Sequence, residues 1–243
     1  MNNTKLTTKE YWDDGYKNFK FSPMPDNYPT VKEIYSIFKK TDSKNVLEIG
    51  CFPGRLLYHF GKLGYELNGI DHTEYLQTMI NWLKSNNFKI GEFRSDDIFN
   101  ISYDKKYDVV FSSGFIEHFS NFDEVIEIHK KLVAKDGYLF LTAPNFSGLI
   151  QNKLHKIFDG DNLDKHYIPS MDVEKWKKIV DDGSFEIIKS EYIGGFDFWV
   201  GNKKRTIFER IIIKIIRLFL PLRFLPNSKS YSPEILLIAK KIV

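Results

Sequence analysis

Between Asn45 and Pro144 the chain switches repeatedly between two hydrophobic periods, and this restricts its fold more than any other feature. Apolar runs of strand length occur at NVLEIG (45–50), YELNGID (65–71), FKIGEFR (88–94), YDVVFSS (107–113) and GYLFLTAP (137–144). Stretches of helical periodicity at 55–62, 73–85 and 123–134 separate them. Strands that return through helices pair in parallel, and a parallel sheet needs helices on both faces. The expected class is therefore α/β.

The flanks complete a single domain over residues 1–243. Residues 1–44 form an N-terminal cap. It begins as a polar segment carrying Tyr11, Trp12, Tyr16, Phe19 and Phe21, with Pro23, Pro25 and Pro29 before a helix at 31–40. Residues 45–145 form the ligand-binding core, and 146–243 add substrate-side insertions and C-terminal strands. In that last part MDVEKWKKIVDD reads as a helix, FEIIKSEYIGGF as a strand, 206–220 as a long amphipathic helix, and ILLIAKK as a closing strand. A hydrophobic fraction of 42% supports a buried core, and 35 basic against 32 acidic residues argue against a nucleic-acid binder. Cys51 is the only cysteine, so no intrachain disulfide can form. The start MNNTKLTTKEYWDD has no apolar leader and no uncharged apolar run reaches 18 residues, so a soluble cytoplasmic protein is expected.

The segment VLEIGCFPGRLL (46–57) runs from a buried strand through a turn bounded by Gly50 and Gly54 into a helix. Such a turn brings backbone amides and a helix start close to a ligand. Asp71 follows Gly50 by 21 positions, at the end of the second strand, where an acid can accept from a ribose diol. A dinucleotide needs a glycine in the middle of this turn, and bulky Phe52 stands there. Pro53 also removes a donor. A nucleoside without phosphates fits better, and Glu48 suits a ligand carrying positive charge. A turn that binds nothing is the alternative at this point.

The segment resembles the first motif of the class I S-adenosylmethionine (SAM)-dependent methyltransferases, with Phe52 in place of a glycine. Four further segments follow in family order. They are NGID ending at Asp71, RSDDIF with Asp97, YDVVFSSGFIEHF with a Glu-His pair, and LVAKDGYLFLTAPN. The resemblance covers about residues 40–145. It implies a Rossmann-like three-layer sandwich with a seven-stranded, mostly parallel sheet whose last strand is antiparallel. It implies SAM as cofactor and S-adenosylhomocysteine (SAH) as product. The implied cofactor contacts are Glu48, Gly50, Cys51, Phe52, Gly54, Asp71, His72, Asp97, Ile98, Ser112 and Ser113, with Tyr11 from a covering N-terminal helix; core packing is the alternative for that helix. Cys51 is assigned no chemistry of its own.

On the acceptor side, His118 is the candidate general base, with Glu117 beside it and His166 as a second candidate. His118, Asn145, His166 and Tyr167 would contact the acceptor; structural histidines and an ordinary surface loop are the alternatives. No metal is expected, because Asp159, Asp161 and Asp164 lack the glycine and distal glutamate of a calcium loop. The Glu-His pair is similar to that of small-molecule O-methyltransferases, including quinone-pathway enzymes. The expected reaction is O-methylation of a small molecule or a surface-glycan or capsule-type acceptor (a sugar, phosphoramidate or similar hydroxyl), with a quinone or lipid-linked acceptor as the alternative. The Lys-, Ile- and Asn-rich composition suggests a bacterial source. A non-catalytic SAM-binding or membrane-associated partner protein is the rival from another class, and a nicotinamide oxidoreductase a distant third. Nucleic-acid methylation is disfavoured for want of an Asn/Asp-Pro-Pro-Tyr motif.

TIFERIIIKIIRLFLPLRFL (206–225) places Glu209, Arg210, Lys214 and Arg217 within about 140° of arc, with Pro221 ending the helix. Such a helix can lie on a membrane, but packing on protein is favoured, with Ile212 and Ile215 buried and ILLIAKK inserted antiparallel beside the fifth and sixth strands. The expected state is a monomer or homodimer.

Overall fold

Thr8 caps the first helix, α1 (Lys9–Tyr16), by accepting from the Tyr11 amide. Pro29, whose fixed φ suits a first helical turn, starts α2 (Pro29–Ile37), so this helix begins and ends earlier than the 31–40 expected. The core then runs β1 (Asn45–Ile49), α3 (Leu57–Lys62), β2 (Glu66–Asp71), α4 (Leu76–Ser85), β3 (Ile90–Ser95), β4 (Tyr107–Ser113), α5 (Phe122–Leu132) and β5 (Val133–Pro144). The remainder adds α6 (Leu149–Phe158), the single turn α7 (Gly160–Leu163), α8 (Val173–Val180), β6 (Phe185–Ile193), α9 (Ile207–Leu218) and β7 (Glu234–Lys241). This computed structural model describes residues 5–102, 104–201, 205–218 and 225–243.

The seven strands form one sheet in the order β3-β2-β1-β4-β5-β7-β6. β1 to β5 pair in parallel, and β7 inserts antiparallel between β5 and β6, as its return from α9 requires. Alternate side chains of each strand enter opposite layers. Leu47, Val110, Leu141 and Leu237 join α5 and α8 through Ile126 and Trp176. Val46, Phe111, Phe140 and Leu236 join α2, α3 and α4 through Ile34, Phe60 and Met79. Burial on both faces explains why ILLIA reads as an unbroken apolar run. Strand order reverses between β1 and β4, and a crevice opens at their carboxyl ends.

Two expectations need correction. Helix α6 was not anticipated, because Leu149, Ile150 and Ile157 are exposed and blur the apolar stripe. Helix α9 buries only Ile213, against Phe158 and Phe198, with Ile212 and Ile216 partly covered. Ile215 is 50% exposed, and Ile207, Phe208, Ile211 and Leu218 also face outward. The apolar arc is wider than the one small cluster beneath it can cover. Pro221 and the rest of 219–224 lie outside the described residues. Among the described residues no helix is long and apolar enough to cross a membrane.

Candidate functional site

β1 ends in the turn that the sequence singles out. Gly50 has φ +69°, and a Cβ there would stand 2.4 Å from the Phe115 ring, so only glycine fits. Asp71 closes β2 and organises the loop opposite. Its Oδ2 accepts from the Phe52 amide and its Oδ1 from the Thr73 amide, each at 3.0 Å. Burial raises its pKa against these donors. Gly50, Phe52, Asp71, His72, Asp97, Ile98 and Ser113 line one cavity of about 270 Å³. Asp97 caps the 3-10 turn at Ile98–Asn100 and is paired with Lys5, a contact that local sequence patterns do not signal.

Phe52 has a role that its replacement of glycine did not suggest. It is buried and meets the rings of Tyr16 (4.3 Å), Phe19 (5.9 Å), Phe21 (5.7 Å) and Tyr75 (6.5 Å). This cluster holds the N-terminal segment across the cavity. Asp13 of α1 anchors it further by accepting from the Thr73 hydroxyl at 2.5 Å. Trp12, one turn before Tyr16, lies edge-on to His118 at 5.0 Å.

A second cavity of about 310 Å³ adjoins the first. Trp12, Ser113, Gly114 and His118 line both. Beyond them the second is walled by Tyr11, Tyr28, Trp199 and Pro144, with Glu117, His166 and Glu234 among its polar groups. Glu117 and His118 form the 3-10 turn Ile116–His118 after β4, and the Tyr167 amide donating to the Glu117 carbonyl docks the His166 loop on it. The two imidazole centroids are 4.6 Å apart. His118 Nδ1 donates to the Lys165 carbonyl (2.9 Å) and His166 Nδ1 to the Asn162 carbonyl (2.6 Å). A carbonyl only accepts, so both protons sit on Nδ1, and among the described residues no hydrogen bond takes either Nε2 lone pair. Burial pushes Glu117 up to about 8. Burial, helped by His166, pushes His118 down to about 3, and burial pushes His166 down to about 4. Across the cavity Glu234 accepts from the Tyr28 hydroxyl and, at 2.7 Å, from Thr30. Burial pushes it up to about 8. These partners lie some two hundred residues apart in the chain, and no local pattern foretold them.

Several expected contacts do not reach either cavity. Glu48, Cys51 and Ser112 are buried within the sheet and turn and line neither cavity. Burial raises Glu48 well above the usual carboxylate range, with Asp71 adding to it. Gly54 has φ +75° and backs onto Met79 of α4, not onto the cavity. Tyr11 lines the second cavity instead of the first. Asn145 is a structural staple. Its amide nitrogen donates to the Lys229 and Ser232 carbonyls, and its oxygen accepts from Gly148 and Ser147. The Tyr167 ring packs near Phe122, at 6.3 Å, and does not line the cavity.

The chain matches the family described as "Methyltransferase domain" over residues 28–190. It is 25% identical over 198 residues to a protein-lysine N-methyltransferase of Saccharomyces cerevisiae, covering 67% of this chain and 84% of that protein. It is 30% identical over 149 residues to the ubiquinone biosynthesis O-methyltransferase of Pelagibacter ubique, covering 56% of this chain and 60% of that one. The match thus spans less than two thirds of the ubiquinone-biosynthesis relative. Among solved structures, a SAM dependent methyltransferase from Archaeoglobus fulgidus superposes with a TM-score of 0.57 at 22% identity, covering 87% of this chain and 91% of that one. The magnesium protoporphyrin IX methyltransferase from Synechocystis with bound SAH gives 0.56 at 16% identity, covering 87% and 80%. At these identities the likeness is one of fold.

Proposed function

This chain belongs to the methyltransferase domain family, a SAM-dependent family, and from that premise we propose that it methylates an oxygen of a small organic acceptor seated in the second cavity. The first cavity suits SAM. Asp71 keeps a spare lone pair on each oxygen for a ribose diol, and the Gly50 turn lets backbone approach without a Cβ. SAM supplies a methyl carbon made electrophilic by its sulfonium. The acceptor oxygen bonds to that carbon as the C–S bond breaks, sulfur keeps the electron pair, and the hydroxyl proton must leave on the acceptor side. The observation that carries the reading is the junction of the two cavities at Gly114 and His118, with Glu117 and His166 next to it. Positioning of two reactants and removal of one proton are the two demands of this reaction.

Within that class, walls made by Tyr11, Trp12, Tyr28 and Trp199 suit a ring-shaped acceptor, a sugar of a surface glycan or a quinol. The buried acids Glu117 and Glu234 favour a second reading, an amine acceptor held by its charge. We place the work in the cytoplasm, with residues 9–21 as the cover of a single catalytic domain. The test is calorimetric SAM binding followed by transfer of labelled methyl to panels of hydroxyl and amine compounds. Labelled ethers support the proposal, labelled amines replace it with the second reading, and a protein that binds no SAM overturns both.

A further inference from the structure

We propose that Glu117, His118 and His166 form a site for one divalent transition-metal ion at the acceptor side of the cavity junction. The purpose given to the ion rests on the methyl-transfer reading; the site itself rests on geometry. One ligand atom from each residue lies within 4.8 Å of the other two. His118 Nε2 is 3.9 Å from Glu117 Oε1. Two ligands at about 2.0–2.2 Å from one ion can be up to roughly 4 Å apart, so small side-chain rotations complete the set.

Three features separate this cluster from a chance meeting of polar side chains. Both imidazoles are fixed through Nδ1–H to backbone carbonyls, as metal-bound histidines are, and no hydrogen bond among the described residues occupies either Nε2. The Glu117 carboxyl is 1% exposed and neither oxygen has a hydrogen-bond partner among the described residues, a costly state for a buried acid. All three residues line the second cavity, so an ion held by three protein ligands would keep open positions toward an acceptor. The contrast with Asp159 is instructive. Its oxygens accept from Arg205, Asn162 and the Gly201 amide, so its carboxylate is already committed within the loop.

Two imidazoles and one carboxylate suit zinc, manganese, cobalt or ferrous ion better than magnesium or calcium, which prefer oxygen alone. The ion would bind the acceptor hydroxyl and lower its pKa, so that the proton leaves to solvent before the oxygen bonds to the methyl carbon. No change of oxidation state is involved. His118 would then serve as a ligand, in place of a base that its burial makes weak.

The experiment uses the full chain freed of metal by a chelator and titrated with Co²⁺, with calorimetry and visible absorption as readouts. One equivalent should bind and give the d–d bands of nitrogen and oxygen ligation. Glu117→Gln and His166→Asn, both close in shape to the parent, should each weaken binding at least about 10-fold, as losing a ligand must exceed losing its support. SAM affinity, measured in parallel, should stay unchanged. Absence of stoichiometric Co²⁺ binding, or binding that survives both substitutions, overturns the site. A parent protein that fails to bind SAM overturns the methyl-transfer reading instead, and the cobalt titration still decides this one.

Discussion

Asp71 organises the turn opposite it, and in the proposed reading the same side chain also receives the ribose. The Phe52 and Thr73 amides each donate to one oxygen of its carboxylate, and the residue lines the first cavity. Asp71→Ala should weaken SAM binding by about 1–3 kcal/mol, the range for losing a hydrogen bond to a charged group. Unchanged affinity by calorimetry would remove the ribose assignment. His118 stands where both cavities meet, so His118→Ala should lower methyl-transfer turnover by roughly 10²–10⁴ with SAM affinity retained. A drop of only a few-fold would leave the acceptor to Glu117 and His166. Asp71 was legible in the sequence because its distance from Gly50 is fixed by one strand-helix-strand unit. Asn145 was misread because an amide after β5 can serve a ligand or the backbone equally well. What decides is Lys229 and Ser232, which reach it from the far end of the chain.

At the scale of elements, α1 packs through Tyr16 on one side chain of the turn it covers. The four rings around Phe52 come from α1, the segment after it and the start of α4, so the loop and its cover are a single packing unit. Phe52→Ala should cost about 3–5 kcal/mol, the usual range for a buried phenylalanine, and should speed amide hydrogen exchange over residues 9–21. Global unfolding with no selective effect on that segment would contradict the coupling. Helix α9 gives the complementary case. Ile213→Asp places a charge among Phe158 and Phe198 and should cost about 3 kcal/mol or more, whereas Ile215→Asp on the open face should stay within ~0.5 kcal/mol. Equal losses in thermal unfolding would show that the outward face is covered in solution. The sequence identified this helix but not its buried side. An apolar arc that fills the rest of the circle gives no single line of contact, and the small cluster that chooses one is built from α6 and residues 196–200, which no periodicity revealed.

For the whole molecule, the alternation of strand and helix periods from Asn45 to Pro144 made the parallel α/β core legible, and the family resemblance supplied the seven strands with an antiparallel last one. What stayed hidden is the traffic between the chain's ends across the sheet: Tyr28 and Thr30 on Glu234, Lys5 on Asp97. Two buried groups, Glu234 and His129, contribute to the pH response in opposite directions. Burial lifts Glu234 from an ordinary 4.5 to about 8, so the folded protein keeps a proton that the unfolded chain loses above pH 4.5. Its contribution is full at low pH and is lost as pH rises toward 8. His129 works the opposite way. It is fully buried, donates from Nδ1 to the Val125 carbonyl, has no hydrogen-bond partner at Nε2 among the described residues, and is pushed by burial from 6.5 to about 4. The unfolded chain takes up a proton below pH 6.5 that the folded protein refuses, so that contribution is lost as pH falls from 6.5 to 4. Each group alone gives a slope of about 1.4 kcal/mol per pH unit within its window. Between 4.5 and 6.5 the two oppose each other, and above 6.5 only the glutamate remains of the pair. Thermal unfolding between pH 5 and 9 should therefore show stability declining from near 6.5 toward 8. Glu234→Gln, which carries no titrating proton, should make that decline shallower and leave the share of Glu117, which burial also raises to about 8. If parent and variant fall with the same slope, Glu234 is already ionised in the folded protein, and the Tyr28 and Thr30 hydroxyls outweigh its burial.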